Sequence, residues 1–152
     1  MRTDSRLSRM LHALIHMDRL DGAATSDILA SMLNTNPVVV RRTMAGLRDQ
    51  GLVTSEKGHG GGWALARPLS AITLLDIYRA LGEPQLFAIG PSADNPACLV
   101  EQAVNETMGA ALAEARTTLL ARLGQVTLGE IARQFDEKWR MVGGRLPPDR
   151  PA

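Results

Sequence analysis

A chain of 152 residues suits one domain, or a small domain with an appended element, and 45% apolar residues allow a core without disulfides. Its one cysteine, Cys98, excludes an intrachain disulfide framework, a zinc ribbon and any cluster held by several cysteines of one chain. The net charge of +1 is unevenly spread: residues 1–67 hold nine Arg or Lys against six acids and the remainder eight against ten. A basic front and an acidic rear suit a duplex-binding module joined to an oligomerisation half. The N-terminus shows no cationic start followed by an apolar run and a cleavage site, so the expected compartment is the cytoplasm.

In chain order, Ser5 to about Leu20 is expected to form a first helix, with Leu7, Met10, Leu11 and Leu14 at helical spacing and Asp21-Gly22 breaking it. Thr25 or Ser26 caps a second helix carrying Ile28, Leu29, Met32 and Leu33. Asn34-Thr35-Asn36 is a turn; Asn36 caps a third helix and Pro37 takes its first position, where a missing N–H costs nothing. That helix runs to Gln50, and Gly51 stops it. Leu52–Glu56 and Trp63–Ala66 follow as two short strands around the glycine-rich tip Lys57–Gly62. Thr73–Leu81 is a further helix, residues 84–96 with three prolines an irregular linker, and Ala97 to about Gly124 one long helix. A short final helix over Val126–Phe135 is capped by Thr127, and the proline-containing end is a frayed tail.

Helix, helix, turn, helix, strand, glycine-rich tip, strand is an order that places one helix in the major groove of B-DNA. On the third helix Val40, Met44 and Leu47 face the core, while Val38, Arg41, Arg42, Ala45, Arg48 and Asp49 form the opposite stripe. Arginine bonds bidentately to guanine or reaches phosphate, and Val38 and Ala45 allow close approach. Thr35 and Asn36 at the helix start can reach phosphate oxygens. The tip with Lys57, Gly58 and His59 lies between two strands and no Gly-Lys-Ser/Thr follows, so a wing entering the minor groove is preferred over a nucleotide cradle.

Asn36-Pro37-Val38-Val39-Val40-Arg41-Arg42, Gly51-Leu52-Val53, Lys57-Gly58-His59-Gly60-Gly61-Gly62-Trp63 and Ile72-Thr73-Leu74-Leu75-Asp76-Ile77 together resemble the Rrf-two (Rrf2) family of winged helix-turn-helix regulators. The resemblance covers roughly residues 5–135 and rests on the ordered combination. It implies a homodimer in which the long helix of each subunit crosses the other, with Lys57 where the family's wing usually carries arginine. Some members bind an iron–sulfur cluster through three cysteines before the long helix. This chain has only Cys98 there, so it is assigned to the branch without a cluster, and no cofactor is expected. Cys98 has two readings: a reactive thiol lowered in pKa by a helix N-terminus, hence a redox or effector site, or a small apolar residue packed in the dimer core.

The long helix carries Val100, Val104, Met108, Ala111, Leu112, Ala115, Leu119 and Leu123 as a buried stripe. At about 27 residues, or roughly 40 Å, it outreaches the small domain beside it, so the stripe is assigned to a dimer interface. His12 and His16 stand at i and i+4 but lack a third ligand, so no metal is assigned. No nucleophile elbow or catalytic set is visible, and the chain is read as no enzyme.

The expected architecture is mainly α with a two-stranded wing. Residues 1–82 form the winged DNA-binding domain, 83–96 a linker, 97–135 the dimerisation helix with the short last helix, and 136–152 a flexible tail. The expected function is a homodimeric repressor on a pseudo-palindromic operator, responsive to redox or a small-molecule effector near Cys98. The alternative is a winged-helix protein-interaction module without DNA binding.

Overall fold

The computed structural model describes residues 3–20, 22–58 and 61–144. Six helices and one hairpin are seen among them: α1 (Arg6–Asp18), α2 (Ser26–Met32), α3 (Pro37–Asp49), β1 (Val53–Glu56), β2 (Gly62–Leu65), α4 (Leu74–Ala80), α5 (Leu99–Gln125) and α6 (Leu128–Met141), with a 3-10 turn at Leu69–Ala71. None of these helices is long and apolar enough to cross a membrane.

Local chemistry sets most of the boundaries. The Thr25 hydroxyl accepts from the Ile28 N–H at 3.2 Å to start α2, and the Asn36 side-chain oxygen accepts from the Val39 N–H at 3.0 Å to start α3. Asn34 takes a left-handed φ of 49°, which turns the chain sharply between the two helices. At the other end of α3, Gly51 at φ 71° lets the Leu52 N–H reach the Leu47 carbonyl at 3.0 Å. Arg67 then donates to the carbonyls of Gln50 and Gly51, both at 3.1 Å, filling acceptors that the helix end leaves open.

One core joins these elements. Leu14, Leu29, Met44, Leu47, Leu52, Ile72, Ile77 and Leu128 are fully buried, each contributing about 1.5–3 kcal/mol of transfer free energy. The wing strands pair antiparallel from Val53↔Leu65 to Glu56↔Gly62. β2 is also seated on the α1–α2 connection: Ala24 and Trp63 exchange two backbone hydrogen bonds of 2.8 Å, and the Trp63 indole N–H donates to the Ser26 hydroxyl at 3.0 Å. A Cβ at Gly62 would lie 2.4 Å from the Ala24 carbonyl oxygen. Gly62→Ala is therefore expected to destabilise the protein by roughly 1–3 kcal/mol, the usual cost of forced overpacking. Urea denaturation checks this, and an unchanged midpoint would show that the junction yields freely.

Two expectations are corrected. The last helix does not end at Phe135 and residues 136–141 are not tail: α6 continues to Met141. Ile131, Phe135 and Trp139 extend its apolar row at i+4 steps, and Asp136 pairs at 2.8 Å with Arg19, the residue that caps the end of α1. Residues 145–152 of the expected tail lie outside the described residues. Nor does α6 group with α5. A capping box of Thr127 and Glu130 opens it, Thr127 bridges Thr73, and the Leu128 N–H donates to the Ile72 carbonyl at 2.9 Å, so α6 returns to the winged domain. The segment 83–96 is irregular as expected, yet it is pinned to α5. The Asn105 amide clasps Ser92, donating to its carbonyl at 2.7 Å and accepting from its N–H at 3.2 Å.

Candidate nucleic-acid interface

The packing of α3 decides what it can present. Val40, Met44 and Leu47 are buried, which turns Val38, Arg41, Arg42, Arg48 and Asp49 outward; Val38 is 60% exposed. Ala45 is half-buried, at the edge of that face. Among the described residues Arg41 and Arg42 make no ion pair, whereas Arg48 lies 3.5 Å from Asp49. The exposed Arg48–Asp49 pair is weak, so Arg48 remains usable but partly neutralised. Asn36 has spent its side-chain oxygen on the cap, leaving its amide N–H groups for an acceptor, and Thr35 beside it is half-buried.

At the wing, Lys57 is exposed directly after β1, and Gly58 adopts φ 98° while its carbonyl accepts from the Gly61 N–H at 3.0 Å, closing the tip. His59 lies outside the described residues. One supporting residue escaped the sequence reading. Arg9 of α1 donates to the Leu33 carbonyl and, at 3.4 Å, to that of Asn34, stapling α1 to the turn before α3. Nothing in the local sequence separates Arg9 from an ordinary surface arginine, because its partners are 24 and 25 residues away.

No residue of α5 is buried within one chain. Val100, Val104, Met108, Ala111, Ala115 and Leu119 share one side, where two shallow hollows of about 730 and 540 Å³ open; Val100 is 72% exposed and Val104 54%. The eight-residue stripe expected from the sequence therefore divides. Leu112 lines a different hollow, against Pro84, Phe87 and Ile89. Cys98 is an exposed free thiol at the N-cap of α5.

On α1 the His12 and His16 rings meet, Nε2 to Nε2 at 2.8 Å. Burial, then the neighbouring His12 and Arg19 charges, hold His16 below the usual imidazole pKa.

A helix carrying two outward arginines, braced by a preceding helix and flanked by a basic hairpin tip, defines a winged helix-turn-helix protein. The family described as Rrf2, iron-dependent transcriptional regulator, matches residues 3–134. The HTH-type transcriptional regulator YwnA of Bacillus subtilis is 34% identical over 106 residues, covering 69% of this chain and 77% of that protein. YffB of Lactococcus lactis, also named an HTH-type transcriptional regulator, is 27% identical over 153 residues, with 93% of each covered. Among solved structures, a transcriptional regulator from Lactobacillus plantarum superposes with a TM-score of 0.71 at 24% identity over 91% of this chain and 95% of that one. The IscR protein of T. potens gives 0.63 at 19% over 91% and 90%.

The chain belongs to the Rrf2 family, and is accordingly a transcriptional regulator with a DNA-binding fold rather than an enzyme. The iron in the family's description does not fit the donors present. Iron–sulfur clusters are held by four ligands, mostly thiolates. The sequence offers one cysteine, and no group of three His, Cys, Asp or Glu side chains converges among the described residues.

Proposed function

We propose that the protein is a cytoplasmic, homodimeric repressor that binds a pseudo-palindromic operator. The observation carrying this is the outward face of α3, where Arg41 and Arg42 stand exposed beside Val38, with no ion pair among the described residues. These residues and Ala45 would enter the major groove, Thr35, Asn36 and Arg48 would position the backbone, and Lys57, Gly58 and His59 would serve the minor groove. The open apolar side of α5 supports the dimer, because a second copy offers the same apolar surface and two-fold pairing is the commonest self-association. A dimer places two α3 helices in successive major grooves, about one helical turn apart. In this reading Cys98 carries the regulatory input, its thiol exposed at the N-cap of α5.

One titration tests both halves. Fluorescence anisotropy on a selected genomic duplex is expected to show affinity falling steeply with salt, as phosphate contacts demand. Diamide is expected to shift the affinity of the native protein and leave Cys98→Ser unchanged. A flat salt dependence would remove DNA binding, and identical diamide responses would remove the thiol switch.

A further inference from the structure

Away from α3 and α5, a half-open cleft of about 860 Å³ runs between α1 and α6. That size falls within the range of about 300–1,000 Å³ typical of small-molecule sites. Leu11, Ile15 and Ile131 form its aliphatic walls. Phe135 and Trp139 add an aromatic wall, their rings stacked at 6.0 Å between centroids and 27° between planes. Flat apolar surfaces of this kind favour an aromatic guest, which stacks with little loss of rotamer freedom.

The polar side chains lining the cleft are Ser8, His12, His16 and Arg19. His12 and His16 present their Nε2 atoms side by side, 2.8 Å apart, on consecutive turns of α1. Arg19, one turn further, lies 4.8 Å above the Phe135 ring and gives one nitrogen to Asp136 at 2.8 Å. A guanidinium carries five N–H groups, so donors remain after that pair. Among the described residues no carboxylate lines the cleft itself, although Asp136 holds Arg19 at its rim. The His12–His16 bond uses both Nε2 atoms, so a guest acid group reaches the Arg19 N–H groups directly and the imidazole N–H groups by taking over that bond. An apolar slot with such an end matches an aromatic body ending in an acid group, whose two oxygens can each accept a hydrogen bond.

We propose that the α1–α6 cleft is a binding site for a small aromatic carboxylate. The aromatic body lies along Phe135 and Trp139, and the carboxylate sits on the rim against His12, His16 and Arg19. The site goes beyond operator recognition and uses none of the residues assigned to DNA or to the α5 face.

The chain has two tryptophans. Trp63 is buried in the wing and Trp139 lines the cleft, so fluorescence reports occupancy of this site. The full chain titrated with 2-naphthoate is expected to show saturable quenching and one bound molecule per chain by calorimetry. The quenching should be lost in Trp139→Phe. The neutral isostere 2-naphthylmethanol is expected to bind at least about tenfold more weakly, and the double variant His12→Ala/His16→Ala to lose a similar factor with its thermal midpoint retained. Absence of saturable binding, as when a second copy fills the cleft, overturns the proposal. So does equal affinity for acid and alcohol, or full quenching in Trp139→Phe. If the double variant unfolds, Ser8→Trp, which narrows the same cleft from the exposed side of α1, serves in its place: undiminished binding there overturns the proposal as well. The readout involves no DNA, so its failure is distinct from failure of operator binding.

Discussion

Arg41→Ala is expected to weaken binding to the cognate duplex by about 1–3 kcal/mol, or about 5- to 150-fold, while binding to random duplex changes little. The asymmetry follows from position. Arg41 lies on the outward face of α3, one turn from the Asn36 cap, and has no acidic partner among the described residues. Its side chain supports nothing in the core, so thermal stability should stay within about 0.5 kcal/mol of native. A guanidinium bonded to a guanine edge loses discrimination when removed, whereas one resting on phosphate loses affinity equally on all sequences and lowers the salt slope by about one. Anisotropy titrations on specific and random duplexes at two salt concentrations separate these cases. Uniform loss assigns Arg41 to the backbone, and no loss on either duplex takes α3 out of the interface.

Val104→Glu is expected to convert a dimer of twice 16.4 kDa into monomers and, with that, to abolish tight operator binding. Val104 is 54% exposed in the single chain and sits in the second turn of α5, on its apolar side. In a two-fold interface the substitution appears twice, bringing two carboxylates into a surface that excludes water. A half-occupied operator loses the gain from linking two reading heads, which is commonly 100-fold or more. The winged domain should remain folded, because α5 gives no buried residue to its own core. Leu112→Glu is the contrast, since Leu112 faces the 84–91 segment of its own chain. Sedimentation equilibrium decides: a Val104→Glu protein that stays dimeric places the interface elsewhere.

The winged half was largely legible because its signals are local. Asn36-Pro37 opens α3, Gly51 closes it and Thr73 caps α4, each acting within four residues of itself. The exposed face of α3 followed from the period of Val40, Met44 and Leu47 alone. What escaped depends on distant partners. The run Asp136-Glu137-Lys138 reads as a polar tail until Asp136 is seen against Arg19 and Phe135 beneath the same guanidinium. The i+4 row of Ile131, Phe135 and Trp139 was the available clue. On α5, Val100 and Val104 are turned to open solvent while Leu112 is turned to the clasped 83–96 segment. Periodicity cannot tell which of two apolar sides belongs to which neighbour.

The attachment of α5 has a mechanical consequence. Its C-terminal end is fixed to the winged domain, where the Leu74 N–H meets the Val126 carbonyl at 3.0 Å and α6 folds back onto the 69–72 turn. In a dimer joined along α5, each helix is then a rigid arm about 40 Å long with a reading head at its far end. Changing the angle at which two such arms cross by about 5° moves the two heads relative to one another by up to about 3.5 Å, close to the rise of one base pair. Half-site spacing would be set by crossing angle, and a small repacking along the arms would suffice to put the two heads out of step with the operator.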